Sequence, residues 1–525
     1  MSLEQLIQKY CLPIGLVLER LGVARPDVSG CQCRERRSPP NAIQCPVSGH
    51  LPREHFSCDG AGAIRLARPS ARRQGFLRVW LQSLGSHTGG LATAVAESLA
   101  RVGVESSSAE VNDASAAVAV FDDYTEAVRV QLRDISNRGR RRVLGITGSR
   151  PALASGGALR LLRDGCADVL FWDGVEQTVE RARALLERWQ AVEEILASAV
   201  VTSNLIGTSN AWVKTLREII EVAHFTNASI LILGESGTGK ELIARLVQAL
   251  DARPAKGPLV VLDCATIVPE LSGSEFFGHE RGAFTGAGDP RDGAFALAHG
   301  GTLFLDEVGE LEGTLQAQLL RVVQEGTYKR VGGNRWHKAD FRLVCATNRD
   351  LPDEVTAGRF RRDFYHRIAS WVCRLPPLCD RPEDILPLAR HFVSKVRADE
   401  APLELDQSVR EYLLNRAYPG NVRDLRQVVS RMAQRHVGGG QISIGDIPED
   451  ERPVDDDVDW KKGPFELSIR RALSLGIGLK EIRRSAEDAA VRIAVAEARG
   501  NLQNAAGTLH VTDRALQLRR ANQRG

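Results

Sequence analysis

The sequence predicts an α/β protein of several domains, and three observations carry that prediction. The chain has 525 residues, enough for three or four domains with ample core. Short apolar runs alternate with helical patterns from about 75 to 192 and again from about 205 to 375, the signature of parallel sheets covered by helices. A Gly-rich turn carrying one lysine sits between an apolar run and an amphipathic pattern, as a phosphate-binding turn does. Composition is that of a globular chain, 43% hydrophobic and 26% charged. The net charge of +3 does not announce a nucleic-acid binder, so any basic surface must be local. No apolar run is long enough to span a bilayer and the first residues do not form a signal peptide, so the expected location is cytoplasmic, with no membrane partner.

In chain order, residues 1–74 form an irregular segment rich in Cys, Arg and Pro. Half of the 10 cysteines precede residue 60, which in a reducing compartment suggests metal or redox chemistry. Cys31, Cys33, Cys45 and Cys58, with His50 and His55 nearby, supply enough soft ligands for Zn²⁺. The Cys-x-Cys spacing is unusual, so a zinc site and a lead with incidental thiols both stay open. Residues 75–192 read as strand–helix repeats: "FLRVWLQ" then "GGLATAVAESLARVG", "AAVAVFDD" then "TEAVRVQLRDISNRG", and "RRVLGITG" leading to further helices. Residues 193–437 form a larger block, α/β to about 375 and helical after it. Residues 438–464 read as a Gly-, Pro- and Asp-rich linker, and 465–525 as a small helical tail.

The chemistry concentrates in "ILILGESGTGKELIARLVQAL". An apolar strand, Ile230 to Leu233, meets the turn Gly234, Glu235, Ser236, Gly237, Thr238, Gly239, and then Lys240 and Glu241 open an amphipathic helix. Glycines let backbone N–H groups approach phosphate oxygens, and the helix N-terminus favours the anion. Lys240 reaches the outer phosphates, while Glu241 stands where a Ser or Thr is usual. The second half of such a site is an acidic pair ending a strand. "GGTLFLDEVGEL" supplies it: Asp306 suits Mg²⁺, and Glu307 suits polarisation of an attacking water.

"GESGTGKELIA", "SEFFGHERGAFTGA", "GGTLFLDEVGEL", "VCATNRDL", "FRRDFYHRI" and "YPGNVRDLRQVV" occur in this order. Together they resemble the bacterial enhancer-binding proteins, AAA+ ATPases that activate sigma-54-dependent transcription. The resemblance covers about residues 204–437 and includes the family's signature hexapeptide, Gly282, Ala283, Phe284, Thr285, Gly286 and Ala287. It implies an AAA+ core with a helical lid, ATP and Mg²⁺, a ring-shaped homo-oligomer (a hexamer), sigma-54 RNA polymerase holoenzyme as partner, and upstream enhancer DNA. It implies that the hexapeptide tips a loop touching the sigma factor and moved by ATP turnover. An apolar Phe284 on a strip hinged by Gly282 and Gly286 agrees with that role.

Position by position, the resemblance makes Asn348 the sensor near the γ-phosphate, Arg361 and Arg367 the fingers reaching a neighbouring subunit's nucleotide, and Arg423 the second sensor arginine. One position departs. The family usually has Asn where this chain has Asp263, and that Asn is thought to restrain the catalytic Glu. An ionised Asp263 has no N–H to offer Glu307.

The tail resembles the family's Fis-type helix-turn-helix, with a third helix begun at Thr512 or Asp513 and carrying Arg514, Gln517, Arg519 and Arg520 toward DNA. Residues 75–192 resemble a flavodoxin-like receiver whose functional residues mostly fail. Gln82 and Ser83 stand where an acidic pair belongs, Asp122 and Asp123 at the phospho-acceptor, Thr147 at the switch hydroxyl and Trp172 at the charge-pairing Lys. Mg²⁺ would lack oxygens there, which predicts a pseudo-receiver. The fold expected is therefore α/β: a pseudo-receiver, an AAA+ ATPase with lid, and a helix-turn-helix. Other readings are a AAA+ unfoldase or chaperone, and a DNA-binding regulator with a vestigial ATPase.

Overall fold

The computed structural model describes residues 56–58, 64–66, 77–85, 88–109, 116–137, 139–153, 156–253, 257–396, 403–452, 464–474, 476–498, 501–512, 514, 516 and 517. The chain divides into two compact units, broadly residues 1–199 and 200–525. Of the zinc candidates, Cys31, Cys33 and Cys45 lie outside the described residues. Cys58 ends a three-residue strand, Phe56–Cys58, paired antiparallel with Ile64–Leu66.

The first unit is built on a five-stranded parallel sheet. Its strands are β1 (Leu77–Ser83), β2 (Val104–Ser107), β3 (Ala116–Phe121), β4 (Arg142–Thr147) and β5 (Asp168–Phe171), in the order β2-β1-β3-β4-β5. All six residues of β3 are buried, as a central parallel strand covered on both faces requires. At its carboxyl edge the Ser83 hydroxyl meets that of Thr88, and the Thr147 hydroxyl donates to the Asp122 carbonyl at 3.2 Å. Trp172 is buried in the core with Leu144, Ile146 and Trp189. The last helix, Glu176–Ala197, runs past residue 192 and buries Leu186, Trp189 and Val192. The expected boundary at 192 therefore falls inside a continuous helix.

The second unit holds another parallel sheet: β6 (Ile230–Leu233), β7 (Leu259–Asp263), β8 (Thr302–Asp306), β9 (Arg342–Thr347) and β10 (Trp371–Arg374), ordered β10-β6-β9-β8-β7. The helix Lys240–Leu250 follows β6 and buries Ile243, Ala244, Leu246, Val247 and Leu250, spaced along one face at helical period. A cluster including Phe276, Phe295, Leu303, Leu319 and Phe364 packs one part of this core. The lid that follows has its own core: Leu388, Val409, Leu413, Leu425, Val428 and Met432.

The expected linker start at 438 also shifts. Residues read as the start of a linker belong to the lid. Gln441–Ile442 pairs with Glu404–Leu405, and Ile442 and Ile447 are fully buried in the lid core. Arg416 holds Glu451 at 2.9 Å and Asp424 at 3.0 Å. The Gly and Asp that suggested a linker serve a tight turn and surface pairs, while two isolated isoleucines do the packing. In the tail, Ala494 of helix Leu479–Glu497 and Ala505 of helix Leu502–Thr508 pack with Leu516 beyond them.

Candidate active site

Four segments converge at the carboxyl edge of the second sheet, where open α/β sheets bind ligands. The Gly234 N–H donates to the Thr347 carbonyl at 3.2 Å, which sets the phosphate loop level with Asn348. Asp263 and Asp306 end neighbouring strands as register partners.

Gly237 and Gly239 take φ of +79° and +106°, which a side chain resists. At Gly237 a Cβ would also lie 2.1 Å from the Gly420 carbonyl oxygen. The Thr238 hydroxyl donates to the Glu235 carbonyl at 2.8 Å and is spent within the turn. Lys240 is buried, and its Nζ donates to the Gly234 carbonyl at 3.0 Å and to Glu307 Oε1 at 3.1 Å. Glu241 is exposed and pairs with Arg245 one helical turn on, at 2.6 Å.

Glu307 adopts φ 48° and ψ 49°, a left-handed conformation that costs a residue with a Cβ roughly 1–2 kcal/mol and marks functional sites. Its N–H donates to Asp306 Oδ1 at 3.1 Å, and its Oε2 accepts the Asn348 N–H at 3.1 Å. Burial raises the pKa of Asp306. Its neighbours Glu307 and Asp263 add to the rise, and Lys240 and the Glu307 N–H oppose it. Asp263 closes its own turn: Oδ1 accepts the Ala265 N–H at 3.0 Å. Asp263 stands where the family's Asn is thought to restrain the catalytic Glu, and here the carboxylate of Glu307 is held by Lys240 and the Asn348 N–H. Cys264 beside them is buried, and burial pushes its thiol above the ordinary range, as in a structural cysteine.

The arginines separate. Arg361 pairs with Asp363 through Nη2 at 2.7 Å, and Arg367 donates to the Val323 carbonyl at 2.8 Å. Both lie outside the Lys240–Glu307 cluster in the single chain. Arg423 instead reaches the Gly-rich turn, donating through Nη1 to Ser236 Oγ at 3.2 Å. The helix carrying Arg423 begins at Asn421.

Sequence reasoning missed two lid residues. Asn421 is buried at φ 52° and donates to Glu235 Oε2 at 2.9 Å and to the Ser236 carbonyl at 3.1 Å. Arg381, also buried, stacks 4.1 Å above the Trp212 ring and donates to the Thr238 carbonyl at 3.3 Å. The only available signal was the "GN" preceding Arg423, which reads as an ordinary helix start.

The hexapeptide forms a tight turn. Gly282 and Gly286 take φ of +75° and +100°, and the Gly282 N–H donates to the Ala287 carbonyl at 2.9 Å. Ala287 is buried, Thr285 is exposed and Phe284 is 39% exposed. The Phe284 ring stands edge-on to His279 with centroids 5.1 Å apart. Ala283 packs on Gly332, where a Cβ would come within 2.7 Å. Arg330 bridges the loop's two arms through Glu280 and Asp292. In the tail, Thr512, Arg514 and Gln517 are exposed, whereas Arg519 and Arg520 lie outside the described residues.

Two family matches cover this unit: the Sigma-54 interaction domain over residues 205–373 and the AAA+ ATPase lid domain over 379–458. The chain is 45% identical to the Nif-specific regulatory protein of Azorhizobium caulinodans over 262 residues, 49% of this chain and 42% of that protein. It is 41% identical to the transcriptional regulatory protein ZraR of Klebsiella oxytoca over 297 residues, 55% of this chain and 66% of that protein. Each match thus spans less than two thirds of the relative. NtrX from Brucella abortus in complex with ATP is similar at 26% identity over 85% of this chain and 99% of that chain, with a TM-score of 0.45. Residues 205–373 are thus a Sigma-54 interaction domain, and residues 379–458 an AAA+ ATPase lid domain.

Proposed function

We propose that this chain is a transcriptional activator that hydrolyses ATP to remodel sigma-54 RNA polymerase holoenzyme. The observation that carries the reading is one α/β unit with two separate sites. One is the Lys240, Asp306, Glu307, Asn348 cluster at the strand ends. The other is a glycine-hinged turn displaying Phe284 and Thr285. The regulatory names of the relatives agree with it.

The phosphate loop binds the triphosphate through backbone N–H groups at the start of a helix, with Lys240 on the outer phosphates. Glu307 orients the attacking water. Asp306, a half-buried hard oxygen donor, would hold Mg²⁺, which neutralises phosphate charge when bound. Arg361 and Arg367 act on the nucleotide of the next subunit in a ring-shaped homo-oligomer, a hexamer, and stabilise the transferring charge. Turnover moves the Phe284 turn on its glycine hinges, and that turn meets the sigma factor.

The tail is a helix-turn-helix for upstream DNA. It is supported by the small-residue packing of Ala494, Ala505 and Leu516 and by exposed Arg514 and Gln517, residue types that read base edges. The first unit is a pseudo-receiver. Its strand order supports this, and Ser83 and buried Trp172 occupy positions where phosphotransfer needs charge. The reading is tested by open-complex formation at a sigma-54 promoter with purified chain. Opening is expected with hydrolysable ATP. No opening with any nucleotide, alongside normal ATP turnover, would favour a remodelling machine of another kind.

A further inference from the structure

Three successive carbonyls of the phosphate loop accept hydrogen bonds from the lid. Ser236 takes Asn421 Nδ2 at 3.1 Å, Gly237 takes the Val422 N–H at 3.1 Å, and Thr238 takes Arg381 Nη2 at 3.3 Å. In a planar trans peptide the N–H points opposite to the carbonyl. Drawing these carbonyls toward the lid therefore turns the N–H groups of Gly237 and Gly239 away from it, the sense in which a nest of N–H groups gathers an anion.

Both side-chain donors are fixed from behind. The Asn421 Oδ1 accepts the Leu378 N–H at 2.7 Å, so its two N–H donors point to Glu235 and Ser236. Arg381 lies on Trp212, and Asp384, three residues on, holds Ser209, the residue that caps the Trp212 helix. The Asp384 carboxylate accepts the Thr208 N–H at 2.6 Å, the Ser209 N–H at 2.8 Å and the Ser209 hydroxyl at 2.6 Å. Gly207 leaves room for this junction: a Cβ there would lie 2.4 Å from Trp212 and 2.9 Å from Asp384. Burial lowers the Arg381 pKa to about 10, so the guanidinium stays charged at neutral pH.

We propose that Asn421 and Arg381 are positioning residues that hold the phosphate loop in its anion-binding conformation, making lid attachment a condition of ATP affinity. The inference rests on the reading of this loop as the ATP site. Its test is fluorescent-ATP titration and the thermal midpoint without nucleotide, on the full chain and on Arg381→Met, Arg381→Lys and Asn421→Asp. Losing a hydrogen bond from a buried charged or amide donor should weaken ATP binding by at least about tenfold in Arg381→Met and Asn421→Asp. Arg381→Lys keeps the charge and a donor and should stay within about threefold, with every midpoint within roughly 5 °C of the parent. ATP affinity within about twofold of the parent in Arg381→Met or Asn421→Asp overturns the assignment. So does an Arg381→Lys chain as weak as Arg381→Met, because packing alone would then explain the loss. Should Arg381→Met not fold, Asn421→Asp and Arg381→Lys decide by the same limits. A parent chain that binds no ATP overturns the ATP-site reading as well, whereas parent and variants binding alike overturn the lid assignment alone.

Discussion

Lys240 and Glu307, 67 residues apart in sequence, form an ion pair with Nζ 3.1 Å from Oε1. One is placed to hold phosphate and the other to orient water, so the two halves of the proposed chemistry are in direct contact. Lys240→Ala removes a buried cation from the phosphate loop and leaves the Glu307 carboxylate without its charged partner. ATP affinity should fall by about a hundredfold or more, as truncating one partner of a buried charge pair commonly does. Titration with fluorescent ATP measures this, and affinity within about threefold of the parent would remove Lys240 from the site.

Much of this site is legible in the sequence because its parts are local. The turn from Gly234 to Gly239, the strand ending in Asp306 and the strand before Asn348 each carry their geometry in a few adjacent residues. The lid contacts are not local. Arg381 reads as a surface charge before a proline, and its burial depends on Trp212, 169 positions earlier. Asn421 reads as a helix start, and only the folded lid turns its amide onto Ser236. Residues 441–452 carry a linker's composition, yet Ile442 and Ile447 decide their placement. The Asp263 substitution is plain in the sequence, but the turn that its carboxylate closes with Ala265 is not.

Arg361 and Arg367 have partners within the chain but lie outside the Lys240–Glu307 cluster. If they serve a neighbour, Arg367→Ala should bind ATP normally and hydrolyse it about 10³-fold more slowly or worse, the range of an arginine finger. Mixing it with Lys240→Ala chains should restore part of the turnover. Hydrolysis by Arg367→Ala at the parent rate would show that the finger lies elsewhere.

Asp263→Asn keeps the side-chain oxygen that accepts the Ala265 N–H and removes one charge that raises the pKa of Asp306. Turnover should be retained within about threefold, with a larger response to sigma factor. A dead Asp263→Asn enzyme with intact ATP binding would assign the carboxylate a direct catalytic part.

Asp122→Asn and Asp123→Asn should leave promoter opening unchanged. Gln82 and Ser83 supply no carboxylate beside them, and Trp172 is packed into the core. Phosphodonor labelling of residues 75–192 should be negligible in the parent chain. Robust labelling, lost in either variant, would restore a working receiver.

The most direct test of the central claim is open-complex yield at a sigma-54 promoter by Phe284→Ala and Thr285→Ala, read beside ATP turnover and thermal midpoint. Phe284 is partly exposed against His279, and Thr285 is exposed. Neither touches Lys240, Asp306 or Glu307. Turnover should therefore stay within about twofold and the midpoint within a few degrees, since surface substitutions move stability little. Promoter opening should be lost in both variants. Normal opening by both would contradict the account, because the turn would then have no part in transmitting ATP hydrolysis to the polymerase.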